Sequence, residues 1–175
     1  MTAAPTQFNV PATVIVGGGA SAELVPQLER LGVRRVLFVT DSFMVSSGLA
    51  GRFEAALEAA GLVVATFADV QPDPTDETVR AAARRFAEER CDAIVALGGG
   101  SPIDAAKAVA VLAVNGEPLA RFQGYHQVPR GGVPLVVIPT TAGTGSEVTK
   151  VAVITDTARD VKMMMLDRHL LPTVA

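Results

Sequence analysis

Ala93-Ile94-Val95-Ala96-Leu97-Gly98-Gly99-Gly100-Ser101-Pro102-Ile103-Asp104-Ala105-Ala106-Lys107 reads as a strand, a glycine turn and the start of a helix. The run Ala93 to Leu97 is apolar without alternation, which predicts a strand buried on both faces, the condition of a parallel sheet. Three glycines then allow close backbone approach. Ser101 is placed to cap the following helix, Pro102 stands where a first-turn proline is tolerated, and Asp104 completes an S-x-x-D capping box. Ala105 to Ala113 is apolar almost all round except for Lys107, so the helix is predicted to be buried and its N-terminus held rigidly. The free N–H groups and positive dipole end of such a helix make an anion site that needs no basic side chain.

The same alternation extends outward in both directions. Thr13 to Val16, Val36 to Thr40, Val63 to Phe67 and Leu135 to Ile138 are further strand-like runs. Between them, Leu49, Phe53, Ala56, Leu57 and Ala60 keep a helical period, as do Val79, Ala82, Ala83, Phe86 and Ala87, and a third helix is expected around Glu23 to Leu31. Pro72 and Pro74 punctuate the link before a helix whose cap is Thr75 and whose acidic first turn is Asp76 and Glu77. Strands joined through helices require right-handed crossovers, hence a mostly parallel sheet covered on both faces. The fold expected is a doubly wound, Rossmann-like α/β domain over residues 1–175. After Thr141 the pattern changes to Val148–Thr155 and Lys162–Leu166 around the polar turn Asp156 to Asp160, predicting a C-terminal hairpin. The Met163-Met164-Met165 run is read as part of a core strand, and no internal repeat interrupts the pattern.

Composition narrows the function classes. With 175 residues, 49% of them hydrophobic, one core is expected. A net charge of -3, from 15 basic and 18 acidic residues without long blocks, offers nothing to nucleic acid or an anionic membrane. The single cysteine, Cys91, cannot form an intramolecular disulfide, which fits a reducing, cytoplasmic compartment. No stretch approaches the roughly 20 apolar residues needed to span a bilayer.

Two glycine clusters compete for one role. Gly17-Gly18-Gly19-Ala20-Ser21-Ala22 follows the first strand and satisfies a G-x-G-x-x-A phosphate fingerprint, and Asp41 ends the next strand near the spacing of a ribose-binding acid. Gly98 to Asp104 is the rival, and spacing alone does not choose between them. A third loop, Pro139-Thr140-Thr141-Ala142-Gly143-Thr144-Gly145-Ser146-Glu147, concentrates hydroxyls at a strand's C-terminal end, where ligands collect in open α/β sheets.

Gly98-Gly99-Gly100-Ser101-Pro102-Ile103-Asp104-Ala105-Ala106-Lys107, followed by Ile138-Pro139-Thr140-Thr141-Ala142-Gly143-Thr144-Gly145-Ser146-Glu147-Val148-Thr149, resembles the iron-containing alcohol dehydrogenases. Val39-Thr40-Asp41, Pro72-Asp73-Pro74-Thr75 and Ile154-Thr155-Asp156 support the match. The resemblance implies that Gly99, Gly100 and Ser101 hold a pyrophosphate and that Thr140, Thr141 and Thr144 line the adenosine and nicotinamide sides. It makes the Gly17 cluster mainly structural. Asp41 would accept from the adenosine ribose and repel a 2′-phosphate, favouring NAD over NADP. Asp73 stands where the family usually has an Asn that reaches the adenine side, Lys162 matches a lysine near the ribose, and Asp104, beyond its cap role, could face the nicotinamide.

In the family an all-helical domain follows, with an Asp and three His as Fe²⁺ or Zn²⁺ ligands; the metal polarises an alcohol and hydride passes to the nicotinamide. This sequence ends near where that domain would begin. Its two histidines, His126 and His169, show no metal-ligand spacing and are expected to be solvated surface residues. No catalytic or metal-binding residue is therefore assigned within it. The expectation is the cofactor half of an alcohol or aldehyde oxidoreductase, weak or silent toward NAD by itself and inactive alone. The family's pairing through N-terminal strands suggests a homo-oligomer along Thr13 to Val16. A non-catalytic nucleotide-binding or interaction module and a glycerol dehydrogenase-like relative are the alternatives.

Overall fold

The computed structural model describes residues 8–175. Along the chain run α1 (Leu24–Arg30), β1 (Arg35–Val39), α2 (Ser42–Ser46), α3 (Leu49–Ala59), β2 (Val63–Phe67) and α4 (Asp76–Glu88). There follow β3 (Ala93–Gly98), α5 (Gly100–Asn115), β4 (Gly124–Tyr125), β5 (Leu135–Pro139), β6 (Val151–Asp156) and β7 (Val161–Leu166). The first sheet is all parallel in the order β2-β1-β3-β5. β1, β3 and most of β5 are buried on both faces because helices cover both, while β2, at the sheet edge, leaves Val63 and Thr66 exposed. Leu37, Val39, Ile94 and Ala96 point to α4 and α5, meeting Val79, Ala82, Phe86, Ile103 and Val109. Val36, Phe38, Val95 and Leu97 point the other way, to Leu28 of α1, Met44 of α2, and Ala50 and Leu57 of α3. Each large side chain so buried contributes about 1.5–3 kcal/mol.

The opposite placement of α3 and of α4 with α5 follows from right-handed crossovers: β1 to β2 runs one way across the sheet, and β2 to β3 runs back past β1. Register aligns the strand ends, with Val39 opposite Ala96 and Gly98 opposite Pro139. Thr40, fully buried, ties β1 to β3 by donating its hydroxyl to the Leu97 carbonyl at 2.9 Å.

Thr13 to Val16 is not a regular strand. Thr13 forms a single parallel bridge to Val174, and the Ile15 N–H donates to the Ala175 carbonyl at 2.8 Å. The segment 173–175 in turn pairs along β5, so two short extended segments continue the sheet beyond β5. The hairpin of β6 and β7 forms as expected, antiparallel with Ile154 opposite Met163. It begins later than expected, at Val151, because the Val148 and Thr149 N–H groups both turn back to the Gly145 carbonyl. Met163 and Met165 face the core while Met164 lies outward. Two short elements left no periodic signal: β4, paired in parallel with β7, and the five-residue α2.

Candidate functional site

The strand order reverses between β1 and β3, and in an open α/β sheet the crevice beyond the strand ends at such a point is where ligands bind. Here the crevice is a cleft of about 580 Å³. From the β2 side to the β5 side its walls are Val70 to Pro72, then Asp41 to Met44, then Gly99 to Pro102, then Thr140 and Thr141.

Asp41 accepts a hydrogen bond from the Met44 N–H through Oδ1 at 2.9 Å, capping α2. That cap fixes the carboxylate at the end of β1. Its Oδ2 leans toward Gly98, standing 3.3 Å from where a β-carbon there would lie. Gly98 has φ +144°, a region that side chains disfavour, and its β-carbon would also come within 2.7 Å of Pro102 Cγ. A β-carbon on Gly99 would lie 3.0 Å from Thr141 Oγ1, and one on Gly100 3.3 Å from Ser146 Oγ. The glycines thus let the hydroxyl loop close onto the helix start.

α5 begins at Gly100, with Gly99 as its extended N-cap and no side-chain cap. This overturns the expected capping box. Gly99 takes the cap position, leaving Ser101 inside the first turn, and the Asp104 carboxylate is instead engaged by the Val153 N–H at 3.0 Å from β6. The uncapped first turn suits an anion better than a capped one, since its N–H groups have no intrahelical carbonyl and stand at the cleft wall.

Further along α5 lies a charged cluster. Lys107 is fully buried and donates from Nζ to the carbonyls of Thr149 and Val151, both at 2.8 Å. Burial pulls its pKa down to about 8 against the pull of Asp104 and Glu147. Burial likewise raises Asp104 above the usual carboxylate range, opposed by the Val153 N–H, Lys107 and Ser146. Asp104 Oδ1 and Glu147 Oε2 are buried without a hydrogen-bond partner. Lys107 thereby clamps the end of the hydroxyl loop to α5.

Of the residues singled out in sequence, Asp41, Gly99, Gly100, Ser101, Thr140 and Thr141 share the cleft. Thr144 packs beside Gly100, and Asp104 faces β6. Asp73 and Lys162 pair with each other at 2.7 Å, both exposed, one residue beyond the cleft wall at Pro72. The Gly17 cluster belongs to a second, more apolar cavity of about 590 Å³ bordered by α1, α3 and the end of β5, which contains neither Asp41 nor the Gly99 turn. Phe43 and Gln71 line the cleft without having been singled out; their signal was only adjacency to Asp41 and Pro72. His126 is exposed, as expected, but His169 is not a solvated residue: three-quarters buried, it places Nδ1 3.0 Å from the Val128 carbonyl. Among the described residues no group of three or more His, Cys, Asp or Glu could hold a metal ion, and no helix is long and apolar enough to cross a membrane. Cys91 is buried, its thiol pushed up to about 11, and is no nucleophile at neutral pH.

The family model of the iron-containing alcohol dehydrogenases matches residues 11–175. The chain belongs to that family. Among relatives of known activity, it is 45% identical over 170 residues to the NAD-dependent methanol dehydrogenase of Bacillus methanolicus, covering 97% of this chain and 45% of that enzyme. A solved 1,3-propanediol oxidoreductase superposes with a TM-score of 0.93 at 34% identity, over 96% of this chain and 44% of that one. The sulfoacetaldehyde reductase of Bifidobacterium kashiwanohense, solved in complex with NAD⁺, superposes with a TM-score of 0.86 at 31% identity, over 99% and 46%. The chain therefore spans a little under half the length of these relatives. What the two solved structures share with it over this length is the fold.

Proposed function

We propose that this chain is the dinucleotide-binding domain of an NAD-dependent alcohol dehydrogenase, acting on an alcohol or aldehyde together with a helical, Fe²⁺- or Zn²⁺-carrying domain outside residues 1–175. The observation that supports this most is the convergence of Asp41, the uncapped start of α5 and Thr140 with Thr141 on one cleft. The N–H groups at Gly100 and Ser101 bind the pyrophosphate, Asp41 accepts from ribose hydroxyls, and the threonine hydroxyls meet the nicotinamide half. A metal bound in the complete enzyme would polarise the alcohol oxygen. This half supplies the orientation of the hydride acceptor. Asp73, Asp104, Thr144 and Lys162 support the cleft from its margins. Alone, the domain binds NAD weakly and turns over no alcohol. It works in the cytoplasm as a homo-oligomer, paired along the segment 13–16, where Val14 and Val16 are exposed, as are Phe8 and Val10 earlier in the chain.

Calorimetric titration with NAD, NADP and ADP tests the assignment. Heat of binding is expected with NAD and ADP, weaker with NADP. No binding of any of the three at millimolar concentration, to this chain or to a longer product that includes the helical domain, would overturn the reading. Asp41→Asn keeps an oxygen to cap α2 but removes the charge that opposes a 2′-phosphate. It is expected to raise NADP affinity relative to NAD by about tenfold, or about 1.4 kcal/mol, with the thermal midpoint nearly unchanged.

A further inference from the structure

We infer that Phe43 is the platform on which the adenine base stacks, an assignment that rests on the dinucleotide reading above. Phe43 is 69% exposed, whereas Phe86 of α4 is buried and Phe53 of α3 half-buried. Phe43 is not loosely held. It sits in the first turn of α2, fixed on one side by the Asp41 cap and followed by Met44, which is buried against the sheet. Phe43 lines the cleft together with Val70 and Pro72.

Strand order then gives the sequence of subsites. The anion site lies at the end of β3, the acid at the end of β1, and the apolar wall of Phe43, Val70 and Pro72 at the β1 and β2 side. Phosphate, ribose and base follow one another in that order along a nucleotide. The opposite half of the cleft, with Thr140 and Thr141, offers hydroxyls and no aromatic ring, so it suits a carboxamide better than a purine. A flat base has two π faces, and one aromatic ring on a fixed turn is enough to orient it without reading its edge.

The chain contains no tryptophan, so Phe43→Trp would place its sole indole on this wall. NAD and ADP are expected to quench that emission, while nicotinamide mononucleotide, which lacks adenine, is not. By calorimetry, Phe43→Ala should weaken NAD and ADP about tenfold, with Phe43→Tyr within about twofold of the parent. If the parent binds NAD while Phe43→Ala binds it equally well and the indole is unquenched, the platform is wrong and the cleft assignment stands. If neither the parent nor a longer product that includes the helical domain binds NAD or ADP, both fall together.

Discussion

Substituting Gly98 by alanine is expected to lower stability by about 3 kcal/mol or more, while alanine at Gly18 changes it by less than about 0.5 kcal/mol. Both residues belong to three-glycine clusters after extended segments, and by local rules they are equivalent. The structure separates them. Gly18 has nothing within 4 Å of an added β-carbon and no positive φ. Gly98 is buried at φ +144°, a backbone that costs an alanine about 1–3 kcal/mol. Its β-carbon would then meet Pro102 Cγ at 2.7 Å, and a proline ring cannot rotate aside as a flexible side chain would. Relief requires moving the start of α5 away from β3, at a further cost of about 1–3 kcal/mol. The same movement carries Gly100 and Ser101 away from Asp41, so nucleotide binding should fall with stability. Urea denaturation of the two variants decides the matter: equal midpoints at unchanged slope would show that the turn is not held as described.

The contrast between those clusters marks where the sequence stops being informative. Strands β1, β2, β3 and β5 were legible because each is a contiguous β-branched or apolar run, and such runs signal burial without reference to any partner. The Thr75 cap was legible for the same reason, since its acceptor role toward Thr78 is closed within four residues. The capping box at Ser101 and Asp104 had an equally good local signature and failed. Its carboxylate is taken by Val153, 49 positions away, and Gly99 takes the cap position instead. Local patterns describe what a segment can do when nothing distant competes for its polar atoms. His169 shows the same limit, its ring held by the Val128 carbonyl 41 positions upstream. In the cleft, the residues found from sequence are those carrying their chemistry in their type, Asp41 and the hydroxyl loop. Phe43 was missed because an aromatic residue in a five-residue helix has no periodic context to mark it as facing out.

Lys107 is the clearest case of a role invisible in sequence, where it is only a polar interruption in an apolar helix. Replacing it with methionine keeps the stem but removes the donor from two buried carbonyls, at Thr149 and Val151, and removes the cation beside Asp104 and Glu147. The expected loss at pH 7 is about 3–5 kcal/mol. The pH dependence is the sharper test. The folded amine loses its proton near pH 8, whereas the unfolded one holds it to about 10.5, so between these values the unfolded chain binds more protons. Stability contributed by this group therefore rises with pH across that window, by about 3 kcal/mol at about 1.4 kcal/mol per pH unit. The neutral amine still has two N–H groups for its two carbonyls, so discharge removes the buried charge without orphaning the acceptors. Urea midpoints of the parent and Lys107→Met at pH 7, 8, 9 and 10 should diverge above pH 8, because the amine that discharges in that window is present in the parent and missing from the variant. A gap that stays level or narrows would mean that the ammonium is hydrated in the folded chain, and that the clamp between α5 and the hydroxyl loop is looser than its two 2.8 Å bonds imply.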